Sequence, residues 1–258
     1  MFSTQTYIAR REQLRNDIGH GIILLPGNHE APCNYADNTY WFRQDSTFLY
    51  FFGQQREDLV GVIDCDNGID YLFGNDYDID DIVWTGPLPD VATLAAEVGA
   101  RFGGNMDSLR QFLHNRSTSM QGNIHYLPPY RSDIQRLLST LLGIKYDFVA
   151  HYASLPLIQA CVKQRSIKSP EEITEIENAI AIAYDMHVGA MRMAMPGRYE
   201  YEIAGFMEGQ VAMAGGHVSF PVIMTIHGET LHNHNHNHKL TCGRMLVMDA
   251  GAETPMNY

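Results

Sequence analysis

The stretch that most constrains this chain is RMLVMDAGAE, residues 244–253. Residues 244–248 form a short apolar run framed by Gly243 and Gly251, and such a run reads as a buried strand. Asp249 closes it, followed by Ala250 and Gly251. A carboxylate at the end of a buried strand is held rigidly, and the glycine beyond it lets backbone or ligand approach closely. A strand-end Asp is also a common turn former, so this stretch alone leaves both roles open. His232 precedes Asp249 by seventeen residues, room for a turn and a return strand. An imidazole and a carboxylate would then share one sheet face, as a hydrolytic metal site of mixed donors requires.

Length and charge narrow the classes. A chain of 258 residues holds one large or two modest domains, each able to bury a core. Its 45% hydrophobic and 19% charged residues are ordinary for a globular protein. A formal charge of −12, with no Lys/Arg patch, argues against nucleic acid. No run approaches the length of a membrane span, and the first residues, MFSTQTYIARREQL, lack the apolar core of a signal peptide. Cys33, Cys65, Cys161 and Cys242 are scattered without metal-site spacing and read as reduced thiols, which points to the cytoplasm.

Taken in order, residues 6–15 read as a helix and 21–25 (GIILL) as a buried strand. The aromatic stretch 47–52 reads as a strand. Residues 59–64 and 69–73 form two more strands joined at Asn67-Gly68, the strongest hairpin signal in the chain. Helices are expected over 91–102, 106–113 and 131–142, and a strand over 123–127. This alternation predicts a small α/β domain with a mixed sheet over 1–150. No sharp signal follows until Ser169-Pro170-Glu171-Glu172, a capping box with Pro at the first helical position. The helix behind it puts Ile173, Ile176, Ile180, Ala183 and His187 on one face and stops at Pro196-Gly197. His187 there reads as a satisfied core histidine, and Met186, Met191, Met193 and Met195 as core filling. A second helix is expected over 201–214 and a strand over 220–225. His232, His234, His236 and His238 alternate with Asn, and in an extended chain all four would project to one face. A solvated loop and a metal-binding strip are both compatible with that run.

Four elements together resemble the aminopeptidase P / prolidase group of pita-bread metallopeptidases: FRQDS (42–46), IKSPEE (167–172), Leu231-His232 and Asp249-Ala250-Gly251-Ala252-Glu253. The resemblance implies an N-terminal mixed-sheet α/β domain (1–150), followed by the first half of a pita-bread catalytic domain (151–258). It implies removal of an N-terminal residue that precedes proline, with peptides carrying proline at the second position as substrates. It further implies two divalent metal ions, manganese by preference, with Asp249 as the first metal ligand and His232 as a catalytic imidazole on the substrate side. Asp37 matches an acidic substrate-binding position. Trp84 matches a tryptophan that reaches a neighbouring subunit's site, although Pro87-Leu88-Pro89 departs from the family's Arg-rich pattern.

The family's remaining ligands lie further downstream than Tyr258, so the 258-residue chain is expected to be inactive by itself. An unpaired sheet edge and an uncovered apolar face favour a homo-oligomer. Alternatives within the family are a prolidase or a metal-free creatinase-like hydrolase. Outside it stands a non-catalytic assembly fragment whose His-rich run binds metal.

Overall fold

The computed structural model describes residues 1–119 and 124–258. The chain forms two compact units, Met1–Ile167 and Lys168–Tyr258. In the first, helix α1 (Thr4–Ile18) starts under a Ser3 cap and stops at Gly19. Strand β1 (Ile22–Pro26), a small exposed ribbon of β2 (Pro32–Tyr35) and β3 (Asn38–Thr39), and helix α2 (Ser46–Phe52) follow. The hairpin of β4 (Val60–Asp64) and β5 (Ile69–Phe73) leads to α3 (Ile79–Thr85) and α4 (Val91–Glu97). Then come β6 (Arg101–Gly104), α5 (Met106–Ser119), β7 (Ile124–His125), α6 (Ser132–Leu142) and α7 (Leu155–Ser166).

The five-stranded sheet runs β6-β5-β4-β1-β7, antiparallel at its centre and parallel at both flanks, which is the expected mixed α/β class. Alternation along β1 explains its uninterrupted apolar sequence. Ile23 and Leu25 enter one core with Phe48, Phe51, Phe52 and Leu14, while Ile22 and Leu24 enter another with Leu109, Leu113 and Leu138. A central strand covered on both faces has no solvent side to make polar. The β4–β5 hairpin forms as expected, and Gly68 takes the left-handed conformation (φ +68°) that its loop needs.

Three sequence expectations in this unit are corrected. Residues 47–52 form helix α2, not a strand: Asp45 accepts from the N–H groups of Thr47 and Phe48 (2.8 Å each), and Gly53 ends the helix in the left-handed region. Four buried aromatics fill its core side, and local capping outweighs their β preference. The helix expected to reach residue 102 stops at Glu97, because the N–H of Ala100 turns back to the carbonyl of Ala95 and frees β6 to pair with β5. The unit also runs past 150. Ser154 caps α7, with Pro156 in its first turn, and Leu157, Ala160 and Cys161 bury into the core that α1 lines. The first residue of the strand expected at 123–127, Asn123, lies outside the described residues.

In the second unit Ser169 and Glu172 form the expected capping box of helix α8 (Pro170–Met193). Helix α9 (Glu200–Met213) follows, with β8 (His217–Val218), β9 (Ile223–Thr225), β10 (Val247–Asp249) and β11 (Ala252–Glu253). The strands pair as two antiparallel ribbons, β9 with β10 and β8 with β11. The stripe of α8 that enters the core is Met186 and Ala190, joined by Ile203, Met207 and Val211 of α9. The face expected to be buried is displaced from it: Ile173 and Ile180 are exposed, as are Met191 and Met195. Gly189 sets this choice, because a Cβ there would stand 2.3 Å from the Phe206 ring, so α9 approaches on that side. Among the described residues no helix is long and apolar enough to cross a membrane.

Candidate active site

Asp249 is the last residue of β10, opposite Ile223 of β9. β9 is wholly buried, whereas β10 is not: Val247 and Asp249 are exposed, so the apolar run of 244–248 is a ribbon edge and not a core strand. Only its last residues pair, because Gly243 and Arg244 still belong to a turn that closes on Thr241. The backbone just past the carboxylate is nevertheless fixed. His187 donates through Nε2 to the carbonyl of Ala250 (2.9 Å), and the Ser219 N–H donates to that of Gly251 (3.0 Å). A Cβ on Gly251 would lie 2.2 Å from Ser219 Oγ, so a larger residue there would have to turn the Ser219 hydroxyl aside. The Asp249 carboxylate takes no hydrogen bond or ion pair from any described residue. A rigid backbone thus presents an uncommitted anionic donor to solvent.

His232 lies in an exposed turn after β9, and no hydrogen bond or ion pair joins it to Asp249. Asp37 and Trp84 belong to the other unit. Asp37 sits in the exposed β2–β3 turn, and Trp84 on α3 is 87% exposed. The structure therefore places His232 and Asp249 in one unit without direct contact, and Asp37 and Trp84 in another.

The His/Asn run is not the extended strip that its alternation allowed. Asn233 Oδ1 accepts from the N–H of Asn235 (2.9 Å), and Asn235 Oδ1 from that of Asn237 (3.0 Å). Two successive Asx turns coil the segment and spoil the shared face. Asn233 also donates to Thr225 Oγ1 (3.2 Å), and His236 donates through Nε2 to the Val222 carbonyl (3.0 Å).

The hub of this region is a residue that sequence reading missed. Glu200, at the first position of α9, is completely buried. Its Oε1 accepts from the Ile226 N–H (2.7 Å), and its Oε2 from the His238 N–H (3.2 Å) and ring Nδ1 (3.1 Å). Its own N–H donates to the His238 carbonyl (3.0 Å). Burial pushes its pKa up, but the Ile226 and His238 donors outweigh this and hold it below the usual carboxylate range. The only local hint was a glutamate in a helix's first turn; its partners lie 26 and 38 residues away. His187 was read as a satisfied core histidine, and the carbonyl of Ala250 is what satisfies it.

Among the described residues no three His, Cys, Asp or Glu side chains converge so as to hold a metal ion. Hard divalent cations need several oxygen donors, and Asp249 offers one carboxylate. The residues present do not by themselves fit a metal pair.

Two domain families match the chain. The aminopeptidase P N-terminal domain matches residues 7–125, and metallopeptidase family M24 matches residues 174–258. The Xaa-Pro aminopeptidase of Escherichia coli is 24% identical over 97% of this chain and 59% of its own length. A probable Xaa-Pro aminopeptidase of Arthroderma gypseum is 27% identical over 90% of this chain and 46% of its own. Among solved structures, zinc-substituted E. coli aminopeptidase P in complex with product superposes with a TM-score of 0.83 at 22% identity, covering 98% of this chain and 60% of that one. Pseudomonas aeruginosa aminopeptidase PepP gives 0.82 at 21%, covering 98% of this chain and 60% of its own. The chain thus spans about half to three-fifths of the length of the relatives it matches.

Proposed function

This chain belongs to the aminopeptidase P family of M24 metallopeptidases, and we propose that it is part of an enzyme that removes an N-terminal residue preceding proline. The observation that carries the reading is the end of β10. There Asp249 stands on a pinned backbone with no partner among the described residues, in the Asp-Ala-Gly-x-Glu context of the resemblance.

The family implies divalent metal ions, and we assign Asp249 as one ligand of a pair, manganese by preference. Because this donor set is insufficient alone, the other ligands are assigned to polypeptide outside these 258 residues, and a protein of these residues is inactive. His232, exposed and uncommitted, is assigned as the imidazole offered to substrate, and by the resemblance Asp37 and Trp84 are assigned as substrate-binding residues. Trp84 also fits a subunit contact in a homo-oligomer, since an indole 87% exposed gains from burial against a second copy. Four free cysteines are consistent with the cytoplasm. Burial pushes Cys65 and Cys161 up to about 11, which keeps both as inert thiols.

The test is hydrolysis of Xaa-Pro dipeptides and Xaa-Pro-Xaa tripeptides with added Mn²⁺. Three proteins are compared: the 258-residue chain, a form extended C-terminally through the remaining expected ligands, and that form carrying Asp249→Asn. The extended form is expected to cleave tripeptides, the short chain to show no turnover, and Asp249→Asn to lose activity by about a thousandfold or more, as groups acting as one unit do. Turnover by the short chain, or full activity in the variant, would show the metal ligand wrongly assigned. Cleavage confined to dipeptides would make the enzyme a prolidase.

A further inference from the structure

At the far end of the β9–β10 ladder from Asp249, two imidazoles meet outside the site described above. His227 follows β9 in a turn, and His238 ends the His/Asn run; their ring centres are 4.5 Å apart with planes inclined by 58°. Each ring is held through Nδ1 by a carboxylate. His227 Nδ1 lies 2.9 Å from Glu229 Oε1, and His238 Nδ1 lies 3.1 Å from the buried Glu200 Oε2. An ionised carboxylate only accepts, so Nδ1 donates in both rings and Nε2 of each neutral ring carries a lone pair. Neither Nε2 has a hydrogen-bond partner among the described residues, and both side chains are 39% exposed.

This is how proteins prepare imidazoles for metal: an outer carboxylate on one nitrogen fixes tautomer and ring orientation, and the ion takes the other. Two imidazoles bound through Nε2 at about 2.0–2.1 Å to one ion bring their ring centres to within roughly 5 Å. The observed ring spacing meets that condition. We propose that His227 and His238 form a two-imidazole site for a late first-row divalent cation, Zn²⁺ or Cu²⁺. Imidazole nitrogen selects these ions over Mg²⁺ and Ca²⁺, which seek oxygen.

Among the described residues no third His, Cys, Asp or Glu completes the set, so the remaining coordination positions go to water or to an exchangeable ligand. The ion would clasp the turn after β9 to the segment that Glu200 ties to the start of α9. The net charge of −12 favours its accumulation.

The experiment titrates metal-free 258-residue chain with Zn²⁺ by calorimetry in excess Mg²⁺. One Zn²⁺ per chain is expected. His227→Ala and His238→Ala should each weaken it about tenfold or more, and Glu229→Gln by about tenfold through the outer carboxylate. Asp249→Asn and the double variant His232→Ala/His234→Ala should leave affinity unchanged. Electron paramagnetic resonance of the unsubstituted chain with one equivalent of Cu²⁺ needs no variant to fold, and should show coupling to two imidazole nitrogens. Absence of saturable binding, loss of binding only in the His232/His234 double variant, or coupling to a single nitrogen would overturn the assignment.

Discussion

The two units differ in how their central charged groups are held. In the first, an arginine is sunk into the core with each guanidinium nitrogen hydrogen-bonded, while two buried nitrogens of Arg56 in the same unit find no hydrogen-bond partner among the described residues. Arg11 is inaccessible to solvent, and its guanidinium donates to Asp70 (2.7 Å) and to the carbonyls of Phe51 (2.8 Å) and Val98 (2.7 Å). In the second, Glu200 is the comparable buried hub, but Asp249 and His232 stand uncommitted in solvent. Its α8 also shows an apolar face of Ile173, Ile180, Tyr184 and Met191 to water. A five-stranded sheet covered on both sides completes itself, whereas two two-stranded ribbons do not. The groups proposed above for chemistry are ones that the core of the second unit does not need.

The largest expected effect lies at the first unit's hub. Arg11→Ala leaves Asp70 buried with only Arg15 beside it and strips two carbonyls of their donor. Breaking a buried pair from one side costs about 3–5 kcal/mol. Residues 1–167 expressed alone are expected to unfold cooperatively in urea, and the variant to lose that much stability. No cooperative transition in the fragment, or a loss under about 1 kcal/mol in the variant, would remove the contrast between the units.

Next comes Glu200→Gln. One amide oxygen can replace one carboxylate oxygen, but the NH₂ then faces donors already aimed at it, leaving a buried donor unsatisfied at a cost of about 1–3 kcal/mol. The pH dependence gives a second readout. The folded-state pKa of Glu200 is depressed, so its stabilisation is present above the ordinary glutamate value of about 4.3 and is lost as pH falls through the lower folded value. Acid unfolding of the 258-residue chain should lose part of its steepness in the variant. An unchanged acid limb would mean that Glu200 is not the hub.

A smaller effect is expected from the exposed face of α8. Ile180 and Tyr184 are 61% and 65% exposed one turn apart. The 258-residue chain should self-associate at micromolar concentrations, and Ile180→Glu/Tyr184→Glu should weaken that association about tenfold, roughly 1.4 kcal/mol. A chain that stays monomeric by light scattering would show that this face needs no cover.

What was legible in the sequence is local. The buried β1 run, the β4–β5 hairpin, the Ser169–Glu172 capping box and the Asp249 strand end depend on neighbours within a few residues. What was missed turns on competition or distance. Aromatic β preference pointed one way over 47–52, and one cap from Asp45 decided the other. The His/Asn alternation is a period of two, yet it arises from Asx turns and not from a pleat. Glu200 takes its meaning from donors more than 25 residues away, which no local pattern encodes.

The smallest expected effect sharpens the same lesson at the start of α8, where the two halves of one capping box are unequal. Ser169 Oγ accepts from the Glu172 N–H at 3.4 Å, a long bond, while Glu172 Oε2 accepts from the Ser169 N–H at 2.9 Å. Glu172 is buried and also receives the Tyr258 hydroxyl on Oε1 (3.0 Å). Ser169→Ala removes only the weaker half and leaves the glutamate in place, so it should cost no more than about 1 kcal/mol, at or below the usual value of a lost N-cap. Glu172→Ala removes the stronger half together with the anchor of the last residue, and should cost more. Chemical unfolding of the two variants side by side measures the difference. A serine variant weaker than the glutamate variant would mean that the hydroxyl, and not the buried carboxylate, starts this helix.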